Sequence, residues 1–254
     1  MSKVIAIANQ KGGVAKTTTA VNLGACLAML GRRTLVVDAD PQGNASSGLG
    51  VSPAKVSRSL YDVLVRGVPL REAVVQCPWV EQLDVVPANL SLAGAEVELV
   101  GVTGRESVLA RGLAEVKSDY TFILIDCPPS LGLLTLNALT AADSVIIPIQ
   151  CEYYALEGVG HLLNTIQLVK RRLNPRLEIE GVLLTMFNGR TNLSIQVAEE
   201  VKKHFRQKVY RTIIPRNVRL SEAPSHGMPV VVYDPRSRGA EVYFELAKEV
   251  MGGE

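Results

Sequence analysis

Short, wholly apolar runs alternate with longer stretches of helical periodicity along almost the whole chain, and this restricts the fold more than any other feature of the sequence. Runs rich in Val, Ile and Leu occupy 4–8, 34–38, 83–87, 121–126, 144–148, 181–187 and 209–214. They do not alternate with polar residues, so each reads as a strand covered on both faces. Helical patterns at 17–30, 105–116, 133–142, 157–173, 194–205 and 239–250 fall between or after them. That alternation predicts an α/β fold, a doubly wound and mostly parallel sheet flanked by helices. The 254 residues suffice for one substantial core, with no repeat, low-complexity tract or Pro/Ser-rich linker, so 1–254 is expected to be a single domain. The least regular stretch, 43–67, reads as a long loop with a short helix.

The first strand runs directly into Asn9-Gln10-Lys11-Gly12-Gly13-Val14-Ala15-Lys16-Thr17-Thr18-Thr19, and a helix follows. Strand, glycine-rich loop, Lys-Thr and helix are the context of a phosphate site. Gly12 and Gly13 let the chain turn so that successive N–H groups face one anion. The open amides and positive dipole end of the helix add to that field. Lys16 is expected to neutralise β- and γ-phosphate oxygens and the Thr17 hydroxyl to ligate Mg²⁺. Gln10 and Ala15 replace the two glycines of the ordinary loop, and Lys11 is an additional lysine ahead of Gly12. Two further runs end in acids at the carboxyl edge, Asp38-Ala39-Asp40-Pro41-Gln42-Gly43 and Asp126-Cys127-Pro128-Pro129. An acid leaving a buried strand needs a cation or hydrogen bonds. Asp126 is expected to hold Mg²⁺ through water. Asp38 is either a second site acid or a strand-end carboxylate bound to backbone amides.

The loop resembles the deviant, lysine-signature phosphate loop of the ParA/MinD group of P-loop ATPases. Further stretches carry the likeness across nearly the whole chain: Asp126 to Gly132, Gln150 to Gly158, and Ile214 to Gly227. Within that group the chain is similar to the small chromosomal ParA proteins of the Soj type. The resemblance implies an ATP- and Mg²⁺-dependent partitioning ATPase with slow basal turnover. Its ATP-bound homodimer binds double-stranded DNA without sequence preference and is released when a ParB-like centromere-binding partner stimulates hydrolysis. It also implies residue roles. Lys11 crosses to the nucleotide of the partner subunit, Lys16 and Asp40 act in hydrolysis, and Gly12, Gly13, Val14, Ala15, Thr17 and Thr18 line the phosphates. Asn188, Pro215 and Asn217 contact the adenine end, while Thr17, Asp40 and Asp126 surround the metal. Family members more often have Gly at the Ala15 position; a Cβ there is tolerable if φ is negative.

The net charge of +2 offers no whole-chain argument for nucleic acid, so any such argument rests on a local patch. Lys202, Lys203, Arg206, Lys208, Arg211, Arg216 and Arg219 follow one another with no intervening Asp or Glu, and Arg190 lies shortly before them. Read alone, the run is either a solvated helix face or an electrostatic footprint for DNA backbone. The resemblance points to Arg190 and Arg219 in particular. No aromatic residues interleave for base stacking.

Other readings of the same core make demands that this sequence does not meet. A MinD-type division-site ATPase that cycles on membranes needs a basic amphipathic C-terminal helix, whereas the tail from Glu241 to Glu254 is net acidic. An iron–sulfur ATPase needs paired cysteines at its dimer axis. Here Cys26, Cys77, Cys127 and Cys151 show no CxxC spacing and read as core residues. An ATP-binding scaffold with little hydrolysis has only Ala15 in its favour. No apolar stretch approaches the roughly 20 residues of a membrane span, so a cytoplasmic, nucleoid-associated protein without membrane contact is expected.

Overall fold

The computed structural model describes residues 2–52, 55–152 and 157–252, which leaves the 153–156 part of the 150–158 motif outside the described residues. Seven strands form one sheet: β1 (Lys3–Ile7), β2 (Thr34–Asp38), β3 (Val75–Gln76), β4 (Leu83–Val86), β5 (Phe122–Asp126), β6 (Ser144–Gln150) and β7 (Glu178–Thr185). Their order is β3-β4-β2-β5-β1-β6-β7, with every neighbour parallel except the two-residue edge strand β3. The order reverses about β1, and the crevice beyond the carboxyl end of such a strand is where open α/β sheets take ligands.

The helices are α1 (Lys16–Met29), α2 (Asn44–Gly48), α3 (Leu60–Arg66), α4 (Leu92–Glu98), α5 (Val108–Ala114), α6 (Leu133–Ala141), α7 (Glu157–Arg172), α8 (Asn192–Phe205), α9 (Val218–Glu222), α10 (Val230–Tyr233) and α11 (Arg238–Val250). Successive strand residues point to opposite faces, so every central strand feeds two cores. On one face Val4, Ala6, Leu35, Val37, Ile123 and Ile125 pack with α3 and α5 to α7. On the other Ile5, Ile7, Val36, Leu83 and Leu124 pack under α1 and α11. This double burial explains the unbroken apolar runs. Gly24 brings α1 down onto β2, since a Cβ there would sit 2.8 Å from Val36 Cγ2.

Three expectations need correction. Residues 209–214 lie beside β7 but form no strand; Val209 and Pro215 make only isolated bridges to Val182 and Phe187. The Tyr210 and Ile214 amides reach the Val182 and Leu184 carbonyls of β7, but the Thr212 amide between them goes with that of Arg211 to the Glu249 carboxylate, at 3.0 and 2.7 Å. The stretch 43–67 holds two short helices, and a Ser59/Asp62 capping box starts α3. The helix expected from 105 opens as a 3₁₀ turn, Arg105–Ser107, before α5. β3, α4, α9 and α10 have no counterpart among the elements expected from the sequence.

One long-range clasp ties the periphery together. Trp79, the only tryptophan, donates its Nε1–H to the Gly227 carbonyl at 2.6 Å. Gly50, at φ +79°, passes directly beneath it, and a Cβ at that position would fall 2.3 Å from the indole nitrogen.

Candidate functional site

β1 ends at the middle of the sheet, and the chain from Asn9 to Ala15 wraps the crevice before α1 begins. Hydrogen bonds to β6 and β7 pin this loop. Asn9 Nδ2 donates to the Pro148 carbonyl at 2.7 Å, and Thr185 Oγ1 donates to the Val14 carbonyl at 3.1 Å. Lys11 N donates to Asn9 Oδ1 at 3.0 Å. Lys16, only 7% exposed, folds back so that Nζ donates to the Lys11 carbonyl at 3.0 Å. No side chain caps the start of α1, so its first amides stay open toward the loop's hollow.

Ala15 departs from expectation. Its backbone is left-handed, at φ +68° and ψ 32°, not at the negative φ that would make a Cβ harmless. Gly13 has the same sign, at φ +74°. The path is fixed by what it must deliver: Ala15 O accepts from Thr19 N at 2.9 Å and Thr19 Oγ1 at 2.7 Å, which starts α1. Only glycine takes such a turn without strain.

Three acids meet Lys16 across the crevice. Asp38 and Asp126 are register partners on β2 and β5, so two wholly buried carboxylates stand side by side. Asp38 is well provided for. Its Oδ1 accepts from Asp40 N at 3.2 Å, and its Oδ2 accepts from Ser46 N at 2.8 Å and Ser46 Oγ at 2.7 Å. That is the strand-end role, and it decides between the two readings of the residue. Even so, burial pushes its pKa up to about 6. Asp126 is the opposite case, because both carboxylate oxygens are buried without a good hydrogen-bond partner among the described residues. Burial, and then the Asp38 charge, hold its pKa well above the usual carboxylate range; nearby Thr17 and Lys16 offset this only in part. Burial lowers the Lys16 pKa, with Asp126, Cys127 and Asp40 opposing. A bare buried carboxylate beside a threonine hydroxyl and an ammonium is the donor set of a hard cation that keeps water and phosphate among its ligands. The residues therefore fit Mg²⁺. Among the described residues no cluster of His, Cys, Asp or Glu could hold a metal alone. Asp40, 9% exposed, stands at the crevice edge, where its Oδ1 accepts from Gln42 N at 2.9 Å.

Beside the loop lies a cavity of about 240 Å³ walled by Ala15, Thr18, Met186, Pro215, Asn217 and Tyr243, among others. Two of the three residues expected at a base are on its wall; Asn188 is not. Exposed, it spends its Oδ1 on the Arg190 amide at 3.1 Å in a local turn. Met186 and Tyr243 were not foreseen. Met186, at φ +51°, simply follows the buried end of β7, and Tyr243 belongs to a helix whose pattern announces only packing.

The basic run separates in space. Lys202, Lys203 and Arg206 are exposed at the end of α8 and make no ion pair among the described residues; Arg190 is exposed just before that helix. Arg216 and Arg219 are not free of acids, contrary to the impression left by the sequence. Arg216 pairs with Glu152 at 3.2 Å, and Arg219 pairs with Glu222 at 2.8 Å and Asp234 at 3.1 Å. Those carboxylates raise the Arg219 pKa. All four cysteines are free and buried, and burial pushes the Cys151 thiol up to about 11, unlike a metal-binding thiolate. α11 spends its apolar face, including Val242, Tyr243, Leu246 and Val250, on the core. Among the described residues no helix is long and apolar enough to cross a membrane.

Comparison with known proteins gives a consistent picture. The family profile described as "AAA domain" matches residues 2–179. The chain is 66% identical over 250 residues to the sporulation initiation inhibitor protein Soj of Bacillus subtilis (strain 168), covering 98% of each chain. It is 54% identical over 251 residues to the chromosome partitioning protein ParA of Myxococcus xanthus, covering 99% of this chain and 88% of that one. Among solved structures it resembles cobyrinic acid a,c-diamide synthase from Mycobacterium smegmatis with bound ADP and magnesium. The TM-score is 0.86 and the identity 42%, over 99% of this chain and 94% of that one.

Proposed function

Since the chain belongs to the Soj/ParA family of chromosome-partitioning ATPases, we propose that ATP gates its assembly on DNA by joining two subunits across the phosphate loop. The protein hydrolyses ATP and uses Mg²⁺. The observation that carries the mechanism is Asp126, a buried carboxylate with no good hydrogen-bond partner, facing Lys16 and Thr17. Gly12 to Thr18 present amides to the triphosphate, and Lys16 exchanges its bond to the Lys11 carbonyl for phosphate oxygens. Thr17, Asp126 and Asp40 would hold the Mg²⁺, which would supply positive charge to offset that of the phosphate oxygens. Asp40 orients the attacking water. Lys11, whose ammonium has no hydrogen bond or ion pair among the described residues, crosses to the nucleotide of the partner subunit and stabilises charge there as an arginine finger does. The cavity walled by Pro215 and Asn217 takes the base.

Closure places two sets of Lys202, Lys203, Arg206, Arg190 and Arg219 on one assembly, so duplex affinity rises with dimerisation. Each phosphate neutralised adds about 0.9 to the salt slope. A ParB-like partner speeds hydrolysis and returns weakly binding monomers, which makes the protein nucleoid-associated while ATP-bound. The whole chain acts as one domain in this cycle.

The test measures mass in solution and duplex retention with Mg²⁺ and ATP, ADP or no nucleotide, using wild type, Asp40→Ala and Arg219→Glu. The expected result is a dimer on DNA only with ATP, accumulated by Asp40→Ala. Arg219→Glu should dimerise without retaining DNA. A monomer under saturating Mg²⁺·ATP with hydrolysis blocked refutes the proposal.

A further inference from the structure

Asp40 sits on a turn that needs something rigid behind it, and the hydrogen bonds show what that is. Its amide is held by Asp38 Oδ1 at 3.2 Å, and the amide of Ala39 is held by the Asp126 carbonyl at 2.9 Å. The other Asp38 oxygen is claimed twice by Ser46, through the amide at 2.8 Å and the hydroxyl at 2.7 Å. The Ser46 hydroxyl in turn accepts from Ala88 N at 3.1 Å, just beyond the end of β4. Ser46 and Ala88 are fully buried. A hydroxyl has one proton, and with Ala88 N–H donating to it, that proton must go to Asp38. The bonds therefore converge on one carboxylate: Ala88 N–H donates to Ser46 Oγ, Ser46 O–H donates to Asp38 Oδ2, and Asp40 N–H donates to Asp38 Oδ1 from the other side.

We propose that Ser46 is a positioning residue for hydrolysis: acting through Asp38, its hydroxyl fixes the backbone that aims Asp40 at the attacking water. The inference rests on the proposed role of Asp40 and adds the device that sets it. α2 carries Ser46 but has only five residues, too few to hold a fixed place alone. The two Ser46 bonds moor it to β2 and, through Ala88, to the neighbouring β4. Without the hydroxyl, Asp38 loses one of three donors and the Ala88 amide is left buried and unpaired. Asp38 then tilts, and the Asp40 turn moves with it. Phosphate binding is unaffected, because Gly12 to Thr18 are pinned separately by Asn9 and Thr185.

The test compares Ser46→Ala, Ser46→Thr, Asp40→Ala and the Ser46→Ala/Asp40→Ala double variant in the full chain. It reads ATP turnover with duplex DNA present, ATP affinity by calorimetry, and thermal midpoint. Losing a hydrogen bond to a charged group should reduce kcat about tenfold in Ser46→Ala, with ATP affinity unchanged within about twofold. Ser46→Thr, which keeps the hydroxyl, should restore most of the rate even if it melts lower. On the Asp40→Ala background Ser46→Ala should cause no further loss of rate. A lower midpoint with normal kcat, a matched fall in affinity and rate, or the same fractional loss on both backgrounds overturns the proposal. Normal turnover by Asp40→Ala is a different failure, since it removes the role of Asp40 itself and this inference with it. If Ser46→Ala does not fold, Asp38→Asn, which cannot accept both sets of donors, should show the same split of kcat from affinity.

Discussion

Replacing Ala15 by glycine should make the nucleotide-free protein more stable, although it deletes a methyl group from a loop that is already tightly wound. Ala15 is held at φ +68° and ψ 32°. A left-handed backbone costs an L-residue about 1–2 kcal/mol, and glycine removes that cost. Against it stands the greater freedom of glycine in the unfolded chain, about 0.4–1 kcal/mol. The difference leaves a gain between about 0 and 1.6 kcal/mol, centred near 0.8 kcal/mol. At about 2–4 °C per kcal/mol for a chain of this size, the midpoint should rise by about 2–3 °C. No hydrogen bond changes, because the bonds from Thr19 end on the Ala15 carbonyl, which glycine keeps. Ala15→Val is the control in the other direction, since a β-branched side chain is a true outlier at positive φ and should melt below wild type. Differential scanning calorimetry without nucleotide reads both. A midpoint for Ala15→Gly at or below that of wild type, or a valine variant as stable as the native chain, would refute the claim that this loop holds strain.

Asp126→Asn should abolish Mg²⁺-dependent ATP binding and at the same time stabilise the nucleotide-free fold. With its pKa raised, folded Asp126 binds protons more readily than the unfolded chain, so stability falls as pH rises from the ordinary carboxylate range through the raised value. The melting advantage of the variant should therefore be large near pH 8 and shrink toward about pH 4; an advantage independent of pH contradicts this account. Glu222→Gln, which removes one of the two acids paired to Arg219, should raise duplex retention a few-fold with ATP and steepen its salt dependence. Unchanged retention, with Arg219→Glu still defective, would mean that the pair does not compete with phosphate.

The sequence announces what is local and repetitive. The limits of β2 and the loop-to-helix transition at Lys16 are legible because apolar runs and a Gly-Gly-x-x-Lys-Thr pattern are short-range signals. Three things were not legible, each for a physical reason. The run from Lys202 to Arg219 contains no acid of its own, yet Glu152 and Asp234 reach two of its arginines from distant elements. The segment 209–214 has the composition of a strand, yet only its Tyr210 and Ile214 amides bond to β7, while those of Arg211 and Thr212 go to Glu249, offered by α11. The left-handed turn at Ala15 is dictated by where α1 must start, which its own side chain does not encode. Asp38 shows the boundary clearly: its position at a strand end was readable, but its service to Ser46 and Asp40 needed the path of α2.

The indole clasp between Trp79 and Gly227 has a practical consequence. Gly227 lies shortly after the chain that walls the cavity beside the phosphate loop, while Gly50, under the ring, follows α2. With no other tryptophan in the chain, tryptophan fluorescence comes from a half-exposed ring touching both segments. Any displacement of either segment on adding nucleotide would change the polarity around that ring, so nucleotide binding should be measurable from its emission without attaching a dye.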